Sequence, residues 1–150
     1  MKSILWLFVA LIGYVRLQGK EMTVTTTDSV RLYVKVKGQG PYLLYVHGGP
    51  GSGSYWLEKF SGDFLERHFT MVYLDQRGTG RSTSPADGDY SMERMVEDFE
   101  QVRSVLHIDR LLTLGHSFGG ILQMGYVERV PDAIEGMTML NCTLCIEDSF

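Results

Sequence analysis

Short apolar runs alternate along the chain with longer stretches in which apolar residues recur every three or four positions. Leu32, Val34 and Val36 alternate with Arg31, Tyr33, Lys35 and Lys37, which is the period-two signature of a strand with one dry face. Residues 22–27 are also rich in Val and Thr, and Asp28-Ser29 separates the two segments, so the pair predicts a hairpin. Gly38-Gln39-Gly40-Pro41 breaks the pattern. Residues 42–46, 71–74, 111–114 and 137–140 are then continuous apolar runs, each expected as a strand covered on both faces.

Helical periodicity separates these runs. Met92, Met95, Val96, Phe99, Val102 and Leu106 share one face, while Glu93, Arg94, Glu97, Asp98, Glu100 and Arg103 are expected on the wet one. Ser91 is placed to cap that helix. A second helix is predicted from Gly119 to about Val130, stopped by Pro131, and a third between Tyr55 and Arg67. The alternation predicts an α/β fold, a mostly parallel sheet flanked by helices.

Composition narrows the class. A chain of 150 residues has the size of one domain, and 44% hydrophobic with 21% charged residues excludes wholesale disorder. The net charge is −4 and no Lys/Arg block occurs, so a nucleic-acid partner is not expected. Glycine is over-represented, with 17 residues, and most fall in three clusters: 48, 49, 51, 53; then 78, 80; then 115, 119, 120. Such clusters mark sharp turns or close approach of backbone to a ligand.

Both ends depart from the pattern. Lys2 followed by the uncharged run from Ile4 to Val15 reads as a signal peptide over residues 1–19, the run being shorter than the roughly 20 residues that span a bilayer. Leu17 is large for a cleavage site, which leaves an uncleaved, membrane-tethering segment as the alternative. Export makes the protein secreted or periplasmic. After Leu140 neither helix nor polar tail follows, and a truncated chain is expected.

Three motifs carry chemistry. Gly115-His116-Ser117-Phe118-Gly119 is G-x-S-x-G between an apolar strand and a helix. That context lifts a serine hydroxyl above a sheet and aims a helix N-terminus at developing negative charge. His47-Gly48-Gly49-Pro50-Gly51 follows another strand, and a Gly-rich loop there can supply the second backbone N–H of an oxyanion hole, the first coming from Phe118. Asp75-Gln76-Arg77-Gly78-Thr79-Gly80-Arg81-Ser82 is not a dinucleotide loop, because Thr83 stands where the third glycine belongs and no helix opens there. It is expected to brace the site through an Asp75–Arg81 pair.

In order and form these motifs resemble the α/β-hydrolase fold, and within it the proline iminopeptidase (prolyl aminopeptidase) group of serine peptidases. The resemblance implies Ser117 as nucleophile and the N–H groups of Gly49 and Phe118 as oxyanion hole, with no metal or cofactor. Residues 20–150 would then be the N-terminal half of that fold, without its cap and C-terminal part. The G-H-S-x-G form around Ser117 is shared with many esterases.

The fold's triad order is Ser, acid, His, yet no histidine follows Ser117. His47 is expected to brace its loop, and His68 and His107 to lie near element ends. Cys142-x-x-Cys145 lacks further metal ligands, and on a continuing strand the two thiols would face opposite ways. The motifs read as a serine hydrolase acting through an acyl-enzyme on a small peptide or ester, and the resemblance implies release of N-terminal proline. Alternatives are an esterase or lactonase of the same fold, or a catalytically dead fragment.

Overall fold

The computed structural model describes residues 19–144. Strands β1 (Lys20–Thr25) and β2 (Arg31–Gly38) form the expected antiparallel hairpin, with Val24 opposite Leu32. The chain continues through β3 (Tyr42–Val46), α1 (Tyr55–Leu65), β4 (Thr70–Leu74), α2 (Met92–Val105) and β5 (Leu111–His116). Helix α3 (Gly119–Arg129), a 3-10 turn at Pro131–Ala133 and β6 (Ile134–Leu140) complete it. The six strands make one mixed sheet in the order β1-β2-β4-β3-β5-β6, parallel from β4 to β6 and antiparallel across β1, β2 and β4.

Local chemistry sets the helix ends. Ser91 Oγ accepts the Arg94 N–H at 3.3 Å, satisfying one of the free donors at the start of α2. Helix α3 ends at Arg129, two residues before Pro131, where a missing N–H would break the ladder.

The sheet separates two cores. On one face α2 and α3 cover Leu32, Leu44, Val72 and Leu111 with Phe99, Val102, Leu122 and Tyr126. The Phe99 and Tyr126 rings, 5.3 Å apart, join the two helices. On the other face α1 contributes Leu57 and Leu65 over Leu43, Tyr45, Met71 and Tyr73. Because β3, β4 and β5 are parallel, their carboxyl ends open on one edge of the sheet. His47, Asp75 and Ser117 are the first residues past those ends, where α/β sheets bind ligands.

Three expectations need correction. Residues 137–140 are not covered on both faces: Met137 is 38% and Leu140 46% exposed, because β6 pairs only with β5 among the described residues. Asp98 is buried rather than on the wet face of α2, since it pairs with Arg77. The last strand does not continue through the cysteines: it ends at Leu140, and the chain turns at Asn141 (φ 46) with Cys142 beyond. Cys145 and the expected signal peptide, apart from Gly19, lie outside the described residues.

Candidate active site

The loop after β3 is anchored by His47, whose ring is wholly buried. Gln76 N–H donates to Nε2 at 3.1 Å, which leaves the proton on Nδ1, 2.8 Å from Gly48 O. Gln76 Nε2 donates in return to His47 O at 3.0 Å. Burial pushes the imidazole below its ordinary pKa, outweighing the Gly48 carbonyl and the Asp75 charge that favour protonation. With both nitrogens engaged, His47 is a neutral brace tying the β3 loop to the β4 loop.

Asp75 is the second brace, and its carboxylate is buried. It accepts from Ser54 N–H at 2.8 Å and Ser54 Oγ at 2.7 Å, at the entrance to α1. It also accepts from Arg81 N–H at 2.9 Å and Arg81 Nε at 2.7 Å. Burial opposes the charge, but the Arg81 and Ser54 donors outweigh it and hold the pKa at about 2. Arg81 also stacks over the Tyr33 ring, 3.5 Å from its centroid. The expected Asp75–Arg81 pair is therefore present.

A third brace was not foreseen. Arg77, wholly buried, makes two 2.7 Å bonds to Asp98, one of 2.9 Å to Asp28 and one of 3.0 Å to Asp89 O. It fastens the β4 loop to α2 and to the hairpin turn. The sequence held the signal: Asp98 lies three residues after Met95 and four before Val102, on the apolar stripe. A carboxylate there requires a buried cation.

Ser117 stands between β5 and α3 at φ 52, in the left-handed region that non-glycine residues rarely occupy. Its neighbours make room for the turn. A Cβ on Gly48 would lie 2.8 Å from Ser117 Cβ, so the β3 loop packs directly against the serine. A Cβ on Gly119 would overlap the carbonyl oxygen of Val46, so only glycine lets α3 start this close to β3. Phe118 heads α3, and neither its N–H nor that of Gly49 has an acceptor among the described residues. Ser117, Phe118 and the Gly48-Gly49 loop are thus brought together. His116 is exposed beside them, and His68 and His107 are exposed elsewhere.

An apolar strand, a serine in a left-handed turn and a helix that opens directly after it form the strand–turn–helix arrangement that a G-x-S-x-G motif requires. Residues 41–148 match the alpha/beta hydrolase fold family, and the chain belongs to it. It is 35% identical over 107 residues to a proline iminopeptidase of Neisseria meningitidis, covering 71% of this chain and 34% of that protein. A proline iminopeptidase of Saccharolobus solfataricus is 34% identical over 109 residues, with the same coverage of 71% and 34%. Among solved structures, a proline iminopeptidase-related protein from Thermus thermophilus superposes with a TM-score of 0.76 at 34% identity, covering 84% of this chain and 45% of that one. The chain spans about a third of the length of the curated relatives it matches.

Proposed function

We propose that this chain carries the nucleophile and oxyanion hole of a serine hydrolase that removes N-terminal proline from peptides. The observation that carries the reading is Ser117 at φ 52, at the carboxyl end of β5, with the Gly48-Gly49 loop against its Cβ. The proline preference is supported by the 34–35% identity to proline iminopeptidases.

In this reading Ser117 Oγ attacks the carbonyl carbon of the terminal proline, and the Gly49 and Phe118 N–H groups receive the charge that develops on oxygen. Collapse of the tetrahedral intermediate breaks the C–N bond. The leaving amine takes a proton and an ester to Ser117 remains, which water hydrolyses to free proline. His47 is not the base, since both its nitrogens are engaged. We assign the base and its orienting acid to sequence of the full-length protein after this segment, in the fold's order of Ser, acid, His.

The test is a substrate comparison with the full-length protein. A proline arylamide should be hydrolysed in preference to the same compound acetylated on its nitrogen and to a short-chain ester. An ester strongly preferred over the arylamide would overturn the peptidase reading in favour of an esterase. Export through residues 1–19 belongs to the same proposal, and N-terminal sequencing of the mature protein tests it. A soluble cytoplasmic product beginning at Met1 would contradict it.

A further inference from the structure

The strained serine is held from a side that the motif does not predict. Ser117 N–H donates to Leu140 O at 3.3 Å, and Ser117 O accepts the Thr143 N–H at 3.0 Å. The Leu140 bond extends the β5–β6 ladder by one residue, whereas Thr143 lies on a short strap, residues 141–143, that leaves the end of β6. The strap can return on itself because Asn141 adopts φ 46, a second left-handed residue facing the first. Cys142 follows it into the space left by the missing side chain of Gly120, where a Cβ would lie 2.9 Å from its Sγ.

A serine at positive φ persists only where its surroundings over-determine it. Rotation back toward negative φ would move its Cβ, and Oγ with it, from its place against Gly48. The Gly120 N–H also bonds Ser117 O at 3.0 Å, but that bond belongs to the first turn of α3 and moves with the helix. The Thr143 bond alone ties the serine to the chain beyond β6. Asparagine enters the left-handed region more readily than other non-glycine residues, and β-branched residues enter it least.

We propose that Asn141 is a positioning residue for the reaction: its left-handed turn delivers the Thr143 N–H to Ser117 O and so fixes the hydroxyl in attack geometry. The inference rests on the reading of Ser117 as nucleophile.

The experiment compares Asn141→Gly, Asn141→Ala and Asn141→Val in the full-length protein, well below each variant's Tm. It measures kcat and KM on a proline arylamide and the second-order rate of modification by a fluorophosphonate, which reports hydroxyl reactivity independently of the peptide substrate. Glycine, which keeps the turn, should stay within about twofold of the parent. Valine should lower kcat and the modification rate roughly 10- to 100-fold with KM little changed, and alanine should fall between. If the valine variant does not fold, a severalfold loss in alanine that glycine does not show supports the same conclusion. A lower Tm with unchanged kcat and modification rate in valine or alanine would overturn the positioning role while leaving the nucleophile intact. A fluorophosphonate adduct that persists in Ser117→Ala would instead overturn the nucleophile reading, and this inference with it.

Discussion

Arg77 and Asp98 meet through two parallel 2.7 Å bonds, Nε to Oδ2 and Nη2 to Oδ1, with the guanidinium wholly buried. The pair clamps the loop after β4 onto α2, so the charges serve geometry rather than chemistry. Removing Asp98 leaves the buried guanidinium with only Asp28 and the Asp89 carbonyl as partners. Asp98→Ala should cost about 3 to 5 kcal/mol, measured by urea unfolding. The Arg77→Met, Asp98→Leu double variant should recover much of that loss, because the one carboxylate that then loses Arg77 is Asp28, which still has Arg94 Nε at 3.8 Å.

Asp75 makes acid stability testable. Its pKa falls from the ordinary 3.8 to about 2, with the Arg81 and Ser54 donors prevailing over burial. A carboxylate depressed in the folded state contributes stability that is fully present above its unfolded value and is lost as pH falls through its folded one. The window is therefore about pH 4 down to pH 2, and the contribution about 2 kcal/mol. Asp28, also held at about 2, with its Thr26 and Arg77 hydrogen bonds prevailing over burial, adds to the same window. Urea midpoints followed from pH 6 to pH 2 should fall less steeply in Asp75→Asn than in the parent. Equal slopes would show that the Ser54 and Arg81 bonds do not favour the ionised form.

Two glycines of the site should respond differently to alanine. At Gly119 the added Cβ meets a backbone carbonyl, that of Val46, so β3 and α3 must separate. At Gly51 nothing lies within 4 Å of the added Cβ, and only φ 94 opposes the substitution. Gly119→Ala should cost about 3 kcal/mol or more, and Gly51→Ala about 1 kcal/mol. Thermal unfolding of the two variants gives the comparison directly.

The residues that pack or turn locally were legible in the sequence. Alternation in β2, the Ser91 cap, the Pro131 stop and the glycines flanking Ser117 each act within a few positions, so their spacing predicts the element. Pairings across long separations were not. Asp98 stands on the apolar stripe of α2, which calls for a buried cation, but spacing does not say that the cation is Arg77, 21 residues away. The strap at Asn141 is invisible because its bond to Ser117 runs through main-chain atoms, which any sequence possesses. Met137 and Leu140 read as a buried strand because apolar content fixes strand type but not how many neighbours a strand has.

The most direct measurement is the turnover of full-length Ser117→Ala on a proline arylamide, with its thermal unfolding recorded alongside. Ser117 is partly exposed, and no hydrogen bond of its hydroxyl to another described residue holds the fold together, so Tm should match the parent. Loss of a nucleophilic serine costs on the order of a millionfold in kcat. Activity should fall to near the uncatalysed level in a protein that melts like the parent. Full activity with alanine at position 117 would contradict the reading of Ser117 as nucleophile.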